Sequence, residues 1–265
     1  MNKKIAIIGG GNLGKAIAEG LVKSGFTVPG HIMVTRRHIE PIRFLEEMGI
    51  LVSNDNHEAA RFADLVILAV KPFQVKDVLT DMRSSLDADR HLVCSVVTGI
   101  TIQDLQSVLG AGFPLVRAMP NTAIAIQESM TCVCASGWTP DQKDYVEDLF
   151  RQLGRVVTID EKLMEAATVL GACGIAYALR FIRANIQGGI EIGFDATTAT
   201  LIAAQTVKGA AELLIQTGRH PEEEIDKVTT PKGCTIAGLN EMEHQGFSSS
   251  LIKGIATSYD KIRKD

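Results

Sequence analysis

Three glycines near the start of the chain, Gly9, Gly11 and Gly14, follow a short apolar run and precede a segment of helical periodicity. Glycine at that spacing solves a specific chemical problem. The first allows a tight turn, the second lets the backbone approach a pyrophosphate, and the third lets a helix pack closely on the preceding strand. The helix that opens at Asn12 and Leu13 aims free N–H groups and a positive dipole end at the same anion. About 20 residues further on, where a dinucleotide site chooses between its two ligands, the chain reads Thr35-Arg36-Arg37. An acidic residue there would hold a ribose hydroxyl. Two guanidiniums and a hydroxyl suit a 2′-phosphate instead, because it takes bidentate, permanently charged donors. Adjacent arginines also occur as a plain solvated turn, but the pattern favours NADPH over NADH.

The elements around this loop follow from periodicity. Residues 4–8, 31–35, 64–70, 91–97 and 115–119 read as strands, and 12–24, 39–48, 74–86 and 101–109 as helices between them. Gly25, a residue that tolerates positive φ, ends the first helix. Strands separated by helices of this length imply βαβ crossovers and a mainly parallel sheet. Two more strands, 130–135 and 155–159, flank a helix that opens with the capping box Thr139-Pro140-Asp141-Gln142. Its apolar stripe is Val146, Leu149, Phe150 and Leu153, and Gly154 closes it. After Asp160 no strand pattern remains; Ala-rich helical segments are broken at Gly188-Gly189, Gly218 and Thr230-Pro231. The expected fold is α/β, with a Rossmann dinucleotide-binding domain at 1–160 and an all-helical domain at 161–265. Segments 163–186 and 196–215 carry too much Ala, Leu and Ile for a lone exposed layer, which predicts burial against a partner.

Composition narrows the function. Charge is close to balance, with Lys+Arg 27 against Asp+Glu 31, and aromatics are few: nine Phe, three Tyr and one Trp. That excludes an electrostatic or stacking case for nucleic acid, and no polybasic segment serves an anionic membrane. The longest uninterrupted apolar stretches, such as 168–179, fall short of the roughly 18 residues of a spanning helix. Lys3 and Lys4 imitate the start of a secretory signal, but the apolar run breaks at Gly9-Gly10-Gly11 and no cleavage pattern follows. Five cysteines with no C-x-x-C pair point to a reducing, cytoplasmic compartment rather than a disulfide framework. Cys132 and Cys134 alternate as strand residues do, toward one side. The histidines (His31, His38, His57, His91, His220, His244) form no ligand-spaced cluster with acids or thiols, so no metal site is expected.

Further segments identify a family. Ala69-Val70-Lys71-Pro72 follows the third expected strand, Arg117-Ala118-Met119-Pro120-Asn121-Thr122 follows a later one, and Ala203-Ala204-Gln205-Thr206-Val207-Lys208-Gly209-Ala210-Ala211 lies in a C-terminal helix. Thr229-Thr230-Pro231-Lys232-Gly233-Cys234-Thr235 comes after it. In this order the chain resembles the pyrroline-5-carboxylate reductases from its first strand to its last helix. The resemblance implies NAD(P)H-dependent reduction of the cyclic imine Δ1-pyrroline-5-carboxylate to L-proline. It also implies a helical dimerisation domain and a homodimer, which some members multiply into a decamer of five dimers. It assigns the glycine loop, Arg36 and Arg37 to the adenine-side phosphates, and Ala69, Val70, Lys71 and Pro72 to the nicotinamide ribose side. Met119, Pro120 and Asn121 would sit beside the nicotinamide. Pro231, Lys232, Gly233, Cys234 and Thr235 would hold the substrate, with Thr235 bonded to the ring nitrogen.

The residues themselves agree with the last assignment. Pro231 to Thr235 runs straight into a helix with Ile236, Leu239 and Met242 on its apolar face, so its N–H groups face an anion such as a carboxylate. Thr230 and Thr235 are equally the residue type that caps a helix. The family commonly reads S-P-G-G-T-T here, so Lys232 replaces a glycine, a conformational question if that position needs positive φ and an added cation otherwise. The usual S-G-S-G-P-A-Y likewise reads Gly171-Ala172-Cys173-Gly174-Ile175-Ala176-Tyr177. Two other readings stay open. One is a reductase of another cyclic imine or a hydroxy acid on the same fold, although the G-x-x-x-K pattern of β-hydroxyacid dehydrogenases is missing around Glu161-Lys162. The other is a non-catalytic NADP-binding regulator.

Overall fold

The computed structural model describes residues 3–263. Its first part alternates β1 (Ile5–Ile8), α1 (Asn12–Lys23), β2 (Ile32–Thr35), α2 (Phe44–Glu47), β3 (Leu51–Ser53), α3 (Asn56–Phe62) and β4 (Leu65–Leu68). α4 (Val75–Met82), β5 (Leu92–Ser95), α5 (Ile102–Leu109), β6 (Leu115–Met119), β7 (Ser129–Ser136), α6 (Pro140–Arg151) and β8 (Gly154–Thr158) follow. The strands form one eight-stranded sheet in the order β3-β2-β1-β4-β5-β6-β7-β8. Neighbours are parallel except β6 and β7, which run antiparallel with Met119 opposite Cys132. The order reverses between β1 and β4, so the connections leave in opposite directions and open a crevice at the carboxyl ends of those strands.

Both faces of the sheet are covered. Ile17 and Leu21 from α1 pack on one face with Val146, Leu149 and Phe150 from α6. Ala59 and Ala60 from α3, Leu79 and Met82 from α4, and Leu105 from α5 pack on the other. Burying strands on both faces is what makes Ile5–Ile8 and Leu65–Leu68 continuous apolar runs rather than alternating ones. The capping box at Thr139 forms as expected, with Thr139 accepting from Gln142 N–H and Gln142 returning to Thr139 N–H.

Three expectations need correction. The periodicity shows no element at residues 49–63, yet they form β3 and α3; β3 has three residues, and α3 is short and opens with Asp55 accepting from His57 N–H. The helix expected at 39–48 is a 3-10 turn at Glu40–Ile42 followed by α2, because Pro41 starts a tight turn rather than a long helix. Finally, one helix among the described residues, Glu161–Glu191, is long and apolar enough to cross a membrane by length and composition. Counting uninterrupted apolar residues misses it, because Arg180 ends the run at 168–179 while the helix and its apolar residues continue through Phe181 and Ile182.

That helical run comprises α7 (Met164–Ala167) after a 3-10 turn, a π-helical stretch Thr168–Cys173, and α8 (Gly174–Glu191). Contacts divide the chain at this point into two compact units, one running to Cys173 with the residues after Asp260, the other Gly174–Asp260. The second unit contains α8, α9 (Ala196–Thr217), α10 (Pro221–Val228), α11 (Cys234–His244) and nearly all of α12 (Phe247–Ile262). Ile182 and Ile186 of α8 meet Ala199 and Ala203 of α9, and Tyr177 Oη bonds Ser258 Oγ at 2.6 Å. Large apolar side chains nevertheless stay open, Ile192 at 78% exposure and Leu201 at 70% among them, as the excess of apolar residues in these segments predicts.

A buried ion pair ties the sheet to the start of that run. Arg117 on β6 is 2% exposed and donates to Glu161 at 2.8 Å and Glu165 at 3.3 Å. The same Glu161 oxygen accepts the Ile102 N–H at the start of α5, at 2.7 Å. Glu161→Leu should therefore cost about 3 kcal/mol in unfolding free energy by leaving Arg117 poorly paired. Adding Arg117→Met should recover part of the loss, since two apolar groups need no partner. Chemical denaturation of both variants measures this.

Candidate functional site

The crevice at the sheet reversal contains a cavity of about 1090 Å³, just above the usual range for a ligand site. The glycines of the first loop shape it through their backbones. Gly9 has φ +114°, and a Cβ there would stand 2.6 Å from the Ala69 carbonyl oxygen. A Cβ on Gly14 would collide with the Gly9 carbonyl, so helix and loop meet only because that position is glycine. A Cβ on Gly11 would meet nothing within 4 Å, and this residue lines the cavity. Gly9 and Gly10 N–H both donate to the Thr35 carbonyl, at 3.1 and 2.7 Å, which fastens the loop to the end of β2. The first bond inside α1 runs from Lys15 N–H to Gly11 O at 3.0 Å. The N–H groups of Asn12, Leu13 and Gly14 therefore remain for an anion.

At the β2 end the cavity wall holds Thr35, Arg36 and Arg37 as expected, together with Asn54 and Asn56. Arg36 Nη1 donates to Gly10 O at 2.9 Å, laying its guanidinium across the glycine loop. Thr35 Oγ1 donates to Asn56 Oδ1 at 2.6 Å, which leaves that hydroxyl as an acceptor and frees the Asn56 amide N–H₂ to donate. The asparagines were missed with β3 and α3. The signal was present as Asp55 followed by Glu58, an N-cap pattern that would have placed Asn56 at a helix start.

On the other side of the reversal Ala69, Val70, Lys71 and Pro72 line the wall as expected. Val96, Val97 and Thr98 join them; the strand expected at 91–97 stops at Ser95, so Val96 and Val97 lie past its carboxyl end. Met119, Pro120 and Asn121 lead up to the wall and do not line it. Met119 is 5% exposed with its sulfur 3.8 Å from Thr98 Oγ1. The wall itself is made by Thr122, Ile124 and Ala125, of the 3-10 turn that Asn121 caps.

The segment at 231–235 belongs to the second unit. Thr230 to Gly233 makes a turn closed by Gly233 N–H to Thr230 O at 2.9 Å, with Pro231 and Lys232 at its centre. Lys232 has φ +63°, the left-handed conformation a glycine adopts freely, so this lysine carries strain. Gly233 is the N-cap of α11 and no side chain caps it, so neither Thr230 nor Thr235 takes that role. Cys234, Thr235 and Ile236 begin the helix with N–H groups that have no intrahelical acceptor. Thr235 is exposed, and its hydroxyl is bonded to none of the described residues.

The sheet cysteines Cys94, Cys132 and Cys134 are poor nucleophiles. Burial pushes the Cys132 thiol up and that of Cys134 to about 11, and burial raises Cys94 far further. Among the described residues no group of three His, Cys, Asp or Glu is placed to hold a metal ion.

Residues 161–265 match the family model described as pyrroline-5-carboxylate reductase dimerisation, and residues 4–99 match one described as NADP oxidoreductase coenzyme F420-dependent. The Dictyostelium discoideum protein named pyrroline-5-carboxylate reductase 2 is 46% identical over 99% of this chain and 93% of its own length. Its counterpart named pyrroline-5-carboxylate reductase 1 is 47% identical over 97% of this chain, which spans about half, 49%, of that longer relative. The Plasmodium falciparum pyrroline carboxylate reductase structure with NADP bound superposes with TM-score 0.90, at 25% identity, over 99% of this chain and 98% of that one.

The turn at Lys232 makes a sharp expectation. Lys232→Gly removes the left-handed strain and should raise stability by about 1 kcal/mol net of the added chain entropy, while Lys232→Ala, which keeps a Cβ, should not. Thermal unfolding should show a rise of about 2 °C for the first variant only.

Proposed function

Because the chain belongs to the pyrroline-5-carboxylate reductase family, we propose that it is an oxidoreductase that reduces Δ1-pyrroline-5-carboxylate to L-proline, the last step of proline biosynthesis. The relation over nearly the whole chain carries this reading, since it takes in both the dinucleotide loop and the segment at 231–235. The nicotinamide, when bound, supplies a hydride to C5 of the ring imine. The protein's part is binding and orientation. The N–H groups of Asn12, Leu13 and Gly14 hold the pyrophosphate, and Ala69 to Pro72 flank the nicotinamide ribose. The N–H groups that open α11 hold the substrate carboxylate, behind the turn of Pro231, Lys232 and Gly233. Thr235 Oγ1 bonds the ring nitrogen, donating while the imine is neutral and accepting once it is protonated. Keeping ring and carboxylate fixed is worth more than any acid in such a step, because orientation removes most of the entropic barrier.

NADPH is the preferred reductant, a reading supported by Arg36 and Arg37 on the cavity wall where a 2′-phosphate would lie. Residues 161–265 form the dimerisation domain beside a cofactor domain at 1–160, supported by the span of the dimerisation model. The open apolar side chains of α8 and α9 are covered by a second copy rather than by lipid, because the dimerisation match includes the whole apolar helix Glu161–Glu191. Association of five such dimers into a decamer is proposed on the resemblance alone. The site is cytoplasmic, as the five free thiols favour.

Turnover tests the reading. Oxidation of NADPH should require pyrroline-5-carboxylate and should not occur with the keto acids from which hydroxy acids are formed; the reverse selectivity would contradict it. Thr235→Ala should lower kcat/KM about tenfold, the worth of one hydrogen bond, with NADPH affinity intact. Arg36→Ala with Arg37→Ala should weaken NADPH by about tenfold to a hundredfold and NADH much less. An unaltered NADPH/NADH ratio would make the arginines surface charge.

A further inference from the structure

Asn121 commits both ends of its side-chain amide to the protein. Oδ1 accepts the Ala123 N–H at 3.0 Å, and Nδ2 donates to the Gly171 carbonyl at 3.3 Å. Its own N–H donates to Ser129 Oγ at 3.0 Å. The turn it caps, Thr122–Ile126, supplies the cavity wall through Thr122, Ile124 and Ala125. Asn121 itself does not line the cavity.

Its partner is as specific as its position. Gly171 lies in the π-helical stretch Thr168–Cys173. A π turn widens the helix and shifts its carbonyls out of the usual i→i+4 register, which lets one of them receive a donor from outside. Two residues before Met119 on the same strand, Arg117 grips the same helical run at Glu161 and Glu165. The path from β6 to the cavity wall is thus fastened at three successive points along one helix.

We infer that Asn121 is a positioning residue for the nicotinamide half of the cavity, holding the Thr122–Ile126 turn in register with the π turn at Gly171. The inference rests on the dinucleotide reading above. The half follows from sheet order: β1 to β3 carry Arg36 and Arg37, and β4 to β6 form the opposite mononucleotide half. A residue that merely caps its turn would contribute to stability and leave ligand affinity alone. One that registers the wall weakens only ligands that reach it.

Asn121→Asp and Asn121→Ser both keep an oxygen for the Ala123 N–H and remove the donor to Gly171. Equilibrium binding to the full-length protein is measured with two probes, NADPH and adenosine 2′,5′-bisphosphate, which lacks the nicotinamide half. The Kd for NADPH should rise about tenfold in each variant, and that for the bisphosphate should stay within about twofold. NADPH binding within about twofold of the parent, or equal weakening of both probes, overturns the inference. Should one variant fail to fold, the other gives the same readout. A parent protein that binds neither probe would overturn the dinucleotide reading and this inference with it.

Discussion

The Thr35 carbonyl accepts hydrogen bonds from both Gly9 and Gly10, and the rest of the cofactor site depends on that double acceptance. It fixes the glycine loop to the end of β2 and so aims the start of α1. It uses up the loop's early donors, so that those left for a pyrophosphate are the N–H groups at the helix start, where the dipole adds to them. It also brings Arg36 within reach of Gly10 O, placing a permanent cation beside the same loop. The loop reaches this position with Gly9 at positive φ, and a Cβ there would strike the Ala69 carbonyl.

The helical part of the chain obeys a different constraint. Its helices are too apolar for water and too few to bury one another. Ile186, Ala199 and Ala203 form its small interior, while Leu179, Ile192, Leu201 and Ile252 remain open. Apolar surface of that extent on a helical layer is what an obligate interface looks like when its partner is removed. The match of residues 161–265 to a dimerisation model fits such an interface, and it takes in the helix apolar enough for a membrane.

How far the sequence could be read follows from which interactions are local. The glycine loop was legible because each glycine answers a backbone problem visible within a few residues. The capping box at Thr139 and the stop at Gly25 were legible for the same reason. β3 was not, since three half-exposed residues at a sheet edge carry too little period to register. Its loss hid Asn54 and Asn56 on the wall. Lys232 posed a question that sequence could frame and only a backbone angle could answer, and φ +63° answers it. Asn121 was legible as part of its motif, whereas its amide bond to a carbonyl 50 residues away, in the π-helical stretch Thr168–Cys173, has no local signal.

Direct hydride transfer from nicotinamide to the ring imine can be followed by turning over pyrroline-5-carboxylate with NADPH deuterated at the transferring C4 position and examining the product by NMR. Proline should carry one deuterium, at C5, for each NADPH consumed. Proline without label at C5, or NADPH binding with no proline formed, would contradict it.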